Sequence, residues 1–163
     1  METLIMGIDP GSKITGWGVV KKSGNKTTYV DAGIIELEGK SKPDLFFKLY
    51  QAIESLLERF PIDEIACESQ FVLKNAQSAM MISNAKTCLY IASGKKQIPV
   101  FEYAPKKAKV AVAGHGSADK SQVAKMIRLH LNVPGPLASF DASDALALAL
   151  CHAFQIKPVN IKL

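Results

Sequence analysis

Four acidic residues lie at the ends of apolar segments in a chain that is basic overall. Asp9 and Glu68 each end a short apolar run, and Asp141 and Asp144 lie three residues apart at the start of a segment rich in alanine and leucine. The ends of strands and helices are where a fold can gather side chains into one cleft. Because gathered carboxylates repel one another unless a cation joins them, the pattern predicts a metal site and indicates a metal-dependent nuclease.

Such a site can cleave a phosphodiester. Cleavage needs a nucleophilic water, neutralisation of the phosphoryl charge and stabilisation of the leaving oxygen, which two metal ions roughly 3.5 to 4 Å apart can supply. Magnesium is the expected ion because it is hard and prefers oxygen ligands. Asp9 could bridge both ions and Glu68 could hold one. Asp141 and Asp144 could hold the other, since residues three apart share a helix face.

Each carboxylate also has a purely structural explanation. Asp9 before Pro10 could simply form a turn through local hydrogen bonds. Asp141 could be a helix N-cap, and Asp144 could be a first-turn acid that complements the helix dipole. Glu68 is harder to explain in this way, because an unpaired carboxylate that ends an apolar strand is costly to bury.

The length and charge limit the class of protein. A chain of 163 residues fits one compact domain. The net charge is +5, and residues 95–130 contain eight lysines and arginines against two acidic residues. A basic surface beside an acidic cleft suits a polyanion bound through bridging metal ions. A solvated face that keeps the protein soluble is the alternative explanation of the charge.

Cysteine usage and hydropathy indicate a cytosolic protein. Cys67, Cys88 and Cys151 lie in apolar surroundings without paired or metal-ligand spacing, so we expect neither a disulfide nor a zinc site. The N-terminus has no basic region followed by a long apolar run, and no segment approaches the length of a membrane span.

Hydrophobic periodicity predicts alternating secondary structure after three initial strands. Strand patterns occur at residues 4–9, 14–22, 27–37, 62–68 and 98–102. Helical patterns occur at residues 43–60 after a capping box at Ser41 and Asp44, 75–93 before Gly94, 118–131 after Ser117 as N-cap, and 141–154, with Pro105 at the first position of another helix. This order predicts a single α/β domain over residues 1–163, with a mixed five-stranded sheet and helices on both faces.

Five motifs, which follow one another along the chain, give information that hydrophobic periodicity does not. They are MGIDPGS and TGWG at residues 6–12 and 15–18, ESQF and KN at 68–71 and 74–75, VFEYAP at 100–105, GHGSADKSQV at 114–123, and DASDALA at 141–147. Together they resemble the RuvC family of bacterial Holliday junction resolvases, in order and without large gaps, from the N-terminus to about residue 155.

The resemblance implies a ribonuclease H-like fold and a homodimer. It implies paired, symmetric, magnesium-dependent nicks at four-way DNA junctions during recombination and repair, with two ions per subunit and Mn²⁺ as an alternative ion. Asp9, Glu68, Asp141 and Asp144 correspond to the family's catalytic, metal-binding carboxylates. A branch-migration helicase complex of the RuvA and RuvB type is the implied partner.

The resemblance also assigns roles to residues outside the carboxylate set. Lys109 and Lys120 match basic positions near the active site, where either could contact the scissile phosphate or offset transition-state charge. Phe71 matches an aromatic residue near the junction crossover, where stacking on an unpaired base is reasonable. Lys74 and Asn75 are carried over as DNA contacts. Core packing stays the alternative for Phe71, and a solvated surface position stays the alternative for Lys74.

The remaining lysines and the dimer interface are less constrained by the sequence. Solvated surface positions are expected for Lys86, Lys106 and Lys107, and phosphate contact is the alternative. The small-residue face of the 75–93 helix is the candidate dimer interface, although it could instead pack on its own sheet. The chain ends soon after the last predicted helix, so contacts made by the longer basic tail of some family members are not carried over.

Three other classes compete with a junction resolvase. Actin-like ATPases and sugar kinases open with a similar turn after Asp9, but they need a second related domain. Another nuclease of the ribonuclease H-like superfamily would differ in its nucleic acid, which substrate tests would reveal. A structure-selective binding module without catalysis is disfavoured, because four acids beside DNA would weaken electrostatic binding of phosphates.

Overall fold

The chain folds into a sheet with helices on both sides. The structure, a computed structural model, describes residues 2–69 and 75–156; Phe71 and Lys74 therefore lie outside the described residues. In chain order the described elements are β1 (Glu2–Asp9), β2 (Ile14–Ser23), β3 (Lys26–Glu36), α1 (Lys42–Arg59), β4 (Glu64–Glu68), α2 (Ala76–Lys96), β5 (Val100–Tyr103), α3 (Pro105–Ala113), α4 (Lys120–Leu131) and α5 (Phe140–Gln155).

The five strands form one mixed sheet in the order β3-β2-β1-β4-β5. β1 is antiparallel to β2 and parallel to β4, β2 is antiparallel to β3, and β4 is parallel to β5. The mixed five-stranded sheet predicted from the sequence is confirmed. Its central pair, β1 and β4, runs in one direction, so Asp9 and Glu68 end their strands at the same edge of the sheet.

One face of the sheet packs against α1 and α2. Met6 and Ile8 of β1 and Cys67 of β4 are fully buried there. The helical stripe of α1 meets them with Leu49 and Ile53, both almost fully buried. Burial of apolar side chains from both layers is the main term that stabilises this half of the domain.

The other face packs against α5, which contacts β1, β2, β3 and β4, while α3 and α4 pack on the outer side of α5. Because α5 is enclosed by the sheet and two helices, it is apolar almost all round. Val123, Ile127 and Leu131 of α4 join Leu146 and Leu150 of α5 in one buried cluster. Helices therefore cover both faces, as predicted.

Helix starts follow side-chain caps. Ser41 caps α1 as predicted, and its hydroxyl accepts a hydrogen bond from the Asp44 amide. Pro105 starts α3, also as predicted. The prediction of Ser117 as the N-cap of α4 is wrong. Asp119 takes that position and forms a reciprocal capping box with Gln122.

The end of α2 also differs from the prediction. The helix passes through Gly94 and ends at Lys96, and Gln97 adopts the left-handed conformation at φ 58° that glycine was expected to provide. A Cβ built on Gly94 would meet nothing within 4 Å. Glycine was therefore a misleading boundary signal at this position.

The three cysteines lie in the interior, in keeping with their apolar surroundings in the sequence. Cys67, Cys88 and Cys151 are buried and free. Among the helices of the described ranges, none combines the length and the apolar character needed to span a membrane.

Candidate active site

Asp9 lies at the carboxyl end of β1 on the face of the sheet that α5 covers. Side chains alternate between the two faces of a strand. Met6 and Ile8 point to the α1 side, whereas Ile5 packs in the α5 cluster, and Asp9 has the same parity as Ile5. Asp9 is half-buried.

Glu68 lies beside Asp9 because β4 is in register with β1. Ile8 and Cys67 are partners across the parallel ladder, and Asp9 and Glu68 are the next residues of the two strands. Cys67 faces the α1 side and Ala66 packs with α5, so Glu68 points to the same face as Asp9. Glu68 is half-buried.

Glycines in these strands let the backbone of α5 pack directly against the backbone of the sheet. Gly16 is the cross-strand partner of Asp9. A Cβ built on Gly16 would overlap the carbonyl group of Asp141, and one built on Gly7 would overlap the carbonyl group of Ala145. The missing side chains therefore place the first turn of α5 directly over the end of β1.

That first turn carries the other two carboxylates. Ser139 is the N-cap of α5, and its hydroxyl accepts a hydrogen bond from the Ala142 amide at 3.1 Å. Asp141 is therefore not the N-cap, which leaves its carboxylate outside the capping interaction. Asp141 and Asp144 share a helix face, are half-buried, and lie near the positive end of the helix dipole.

The electrostatics of Asp9 show that the four groups interact. Burial, followed by the negative charges of Glu68, Asp144 and Asp141, raises the pKa of Asp9 from 3.8 to about 7, while Lys120 acts in the opposite direction. Each carboxylate thus disfavours ionisation of Asp9, as expected for like charges gathered in a partly buried cleft.

Glu68 and Asp144 have lysine neighbours that offset part of this repulsion. Burial and the charge of Asp144 raise the pKa of Glu68, and the opposing cations are Lys86, Lys109 and Lys120. The ammonium group of Lys120 lies 3.1 Å from the Asp144 carboxylate. This contact joins the first residue of α4 to the first turns of α5.

The donor set fits a hard divalent cation. Within residues 2–69 and 75–156, no three histidine, cysteine or acidic side chains are already gathered tightly enough to hold a metal ion. The four interacting groups are nevertheless all carboxylates, and their mutual repulsion is what a bound cation would relieve. Oxygen-only donors suit Mg²⁺, which usually takes one or two carboxylates and fills its remaining positions with water and phosphate.

The other candidate residues fall in different surroundings. Lys109 is half-buried on α3 and its charge reaches Glu68. The side chain of Asn75 caps α2 by accepting hydrogen bonds from the amides of Gln77 and Ser78. Its proposed DNA contact must therefore be compatible with this capping role. The predictions for Phe71 and Lys74 stay predictions, because both residues lie outside the described ranges.

The surface position expected for Lys86 is wrong. Lys86 is 5% exposed, and its ammonium group lies 2.9 Å from Glu102. Tyr90 also bonds to Glu102, and the Lys86 ammonium lies 5.7 Å from the centre of the Tyr90 ring. The charge is buried where α2 lies against β5, and Glu102 of that strand supplies its counter-charge. The sequence did not predict this burial, because lysine is usually exposed. Only the tertiary structure shows that Lys86 lies on the same buried face of α2 as Leu89.

The packing roles of Gly7 and Gly16 were not predicted. Both belong to quoted motifs, and a glycine inside a strand pattern can mark close approach of another backbone. That signal was present in the sequence, but the partner of each glycine, α5, could be identified only from the tertiary structure.

Comparison with known proteins identifies the family to which the chain is similar. The family model described as "Crossover junction endodeoxyribonuclease RuvC" matches residues 5–152. A protein of that name from Protochlamydia amoebophila is 42% identical over 153 residues, covering 93% of this chain and 91% of its own length. Its counterpart from Geotalea uraniireducens is 43% identical over 150 residues, covering 91% and 87%.

Solved structures agree. A Thermus thermophilus RuvC, described in complex with a Holliday junction substrate, superposes with a TM-score of 0.87 at 30% identity, covering 94% of each chain. The yeast mitochondrial resolvase Ydc2 shares the fold, with a TM-score of 0.63 at 17% identity, covering 91% of this chain and 78% of its own. The chain therefore belongs to the RuvC family of crossover junction endodeoxyribonucleases and has its ribonuclease H-like fold.

Proposed function

We propose that Asp9, Glu68, Asp141 and Asp144 form the catalytic centre with which this endonuclease resolves Holliday junctions by paired, symmetric nicks. The observation that carries the proposal is the placement of Asp9 beside Glu68 at the ends of two paired strands, under the first turn of the helix that carries Asp141 and Asp144. The similarity to a RuvC described with its Holliday junction substrate supports the choice of DNA.

The chain's own residues would act by position and charge. Asp9 and Glu68 are held by paired strands, and Asp141 and Asp144 by a capped helix, so the backbone fixes the four side chains around one cleft. When bound, divalent ions would supply charge neutralisation at the phosphoryl group and a nucleophilic water. We propose two Mg²⁺ per subunit, with Mn²⁺ as an alternative.

Lys109 and Lys120 would complete the site as phosphate-binding cations. Lys120 is exposed apart from its contact with Asp144, and Lys109 is close enough to influence Glu68. A positive charge at this distance from the carboxylates can also stabilise the negative charge that develops in the transition state.

A homodimer would use the outer face of α2. Met80 is 64% exposed and Ile91 is 57% exposed on this helix. Exposed apolar side chains on one element are typical of a protein interface. Two symmetric cuts in a two-fold junction also suit a two-fold enzyme. The cytoplasmic location, the single domain over residues 1–163 and a partner complex of the RuvA and RuvB type complete the proposal.

The test is cleavage of a synthetic mobile four-way junction, with linear duplex as the control substrate. Parent protein and Asp9→Asn are compared in magnesium and in chelator. We expect paired nicks only for the parent in magnesium, and junction binding by both proteins. Tight binding without nicks under any divalent ion would reject the catalytic proposal and leave a binding protein.

A further inference from the structure

A groove beside the candidate active site has no role in the proposal above. It has a volume of about 1010 Å³ and lies between α4 and the segment that leads into α5. One end is formed by Lys120 and Asp141, which belong to the candidate active site, and the groove extends along α4 past Arg128 and Leu129.

The charge of the groove is positive away from the active site. Lys125 and Arg128 line it together with Lys120. Among the residues that the structure describes, Lys120 pairs with Asp144, whereas Lys125 and Arg128 have no acidic group within salt-bridge distance. Two cations without local partners are an electrostatic match for a polyanion.

The groove also exposes apolar groups between its cations. Leu129 is 62% exposed and Phe140 is 50% exposed. Deoxyribose and base surfaces are apolar, and an aromatic ring can stack on them. A surface that combines fixed cations with apolar side chains suits a nucleic-acid backbone better than it suits a single small anion.

We propose that this groove binds the DNA strand that continues from the scissile phosphate, with Lys125 and Arg128 on its phosphates and Phe140 against its sugars. The proposal rests on the proposed junction-resolving function. It adds a binding surface outside the catalytic centre and names the residues that would position the strand.

Helix geometry sets the expected spacing of the contacts. Lys120 and Arg128 are eight residues apart on α4, a distance of roughly 12 Å along a helix that rises 1.5 Å per residue. One strand of B-DNA carries a charge about every 3.4 Å along its axis. Arg128 should therefore contact a phosphate a few nucleotides from the one that is cut.

The first test is the salt dependence of junction binding in an Asp9→Asn background with magnesium. Arg128→Gln and Lys125→Gln should each weaken binding by about tenfold and lower the salt slope by roughly one. Lys26→Gln is the matched control. Lys26 is exposed, and it pairs with the end of β2 that is opposite to the end where Gly16 meets Asp9. The substitution should leave both quantities at the parent values.

The second test removes single phosphate charges from the DNA. A methylphosphonate scan on both sides of the cleavage point should locate a position at which the parent loses affinity and Arg128→Gln loses none further. Such non-additivity identifies a direct contact. A mere loss of folding would instead change the response at every position and lower the melting temperature.

The outcomes separate this inference from the function on which it rests. If the parent cuts and binds junctions but both groove variants match the Lys26→Gln control, the groove proposal is overturned alone. A groove variant that changes only the oligomeric state would also overturn it, since the occupant would then be protein. If the folded parent protein neither binds nor cuts junctions, the proposed function and the groove proposal fail together.

Discussion

Gly16 lies directly across the β1 and β2 ladder from Asp9, and the absence of its side chain lets the main chain of α5 rest on that point of the sheet. The convergence of the carboxylates therefore depends on a backbone contact that contains no acidic side chain. Position 16 controls where the first turn of α5 lies.

Gly16→Ala should impair both folding and cleavage. The added methyl group would overlap the carbonyl of Asp141, so α5 must shift or the strand must bend. We expect a loss of about 1 to 3 kcal/mol of unfolding free energy, typical of overpacking, and a large loss of junction cleavage. Thermal denaturation and junction cleavage measure the two effects.

Gly94→Ala provides the matched control. It adds the same methyl group inside α2 where the space is open, and it should stabilise the protein by about 0.5 to 1 kcal/mol. Equal destabilisation by the two substitutions would show that Gly16 has no special packing role.

Asp9→Asn should stabilise the protein in chelator at alkaline pH. The folded-state pKa of Asp9 is about 7, raised from 3.8 mainly by burial and then by Glu68. The folded protein therefore binds this proton more tightly than the unfolded chain does. Stability from this group is greatest below pH about 4 and declines as pH rises to about 7. The amide avoids that loss, so its melting temperature should exceed the parent's at pH 8 and approach it at pH 4.

Magnesium should reduce the advantage of the amide at pH 8, because a cation relieves the repulsion in the parent. Melting curves of both proteins with and without the ion provide the measurement. A variant less stable than the parent at both pH values would mean that Asp9 stabilises the fold instead of straining it.

The pair Lys86 and Glu102 should respond asymmetrically to substitution. Lys86 is almost fully buried, whereas the Glu102 side chain is 43% exposed. Glu102→Gln leaves a buried ammonium without its counter-charge and should cost about 1 to 3 kcal/mol. Lys86→Met leaves only an exposed carboxylate and should cost less. Chemical denaturation of both variants tests the order, and the reverse order would contradict the assigned burial.

Tyr103→Phe should destabilise the contact between β5 and α5. The hydroxyl of Tyr103 lies 2.6 Å from Nδ1 of His152, and Nε2 of His152 lies 2.7 Å from Glu64. With Nε2–H donating to Glu64 and Nδ1 accepting from Tyr103, the buried imidazole satisfies both nitrogens. Removal of the hydroxyl leaves one nitrogen unpaired, at about 1 to 3 kcal/mol. Urea denaturation measures this cost, and an unchanged midpoint would show that the bond contributes nothing.

Local patterns in the sequence were sufficient for most of the fold. The continuous apolar run of β1 and the helical stripe of α1 are strong local signals, and both elements occur where they were predicted. The two boundary errors have different causes. Ser117 was displaced as N-cap by the capping box of Asp119 with Gln122, and Gly94 was displaced as helix end by Gln97 in the left-handed conformation.

The positions of the four acidic residues of the candidate site could be predicted, because the sequence indicates where strands end and where helices begin. The depth of Lys86 was not predictable, since it depends on the packing of α2 over β5. The groove was not predictable either. Its cations Lys125 and Arg128 are exposed on α4, and only the tertiary fold shows that the groove they line continues to Lys120 and Asp141 of the candidate active site.

The backbone contacts of α5 also set how the candidate active site can tolerate mutation. At Gly7 and Gly16 the opposing atoms belong to the main chain, so no substitution elsewhere can make room for a side chain. Gly18 differs, because an added Cβ would meet the side chain of Leu146. A smaller residue at 146 could compensate there. Second-site suppressors should thus be recoverable for Gly18→Ala, whereas Gly16→Ala should be repaired only by reversion.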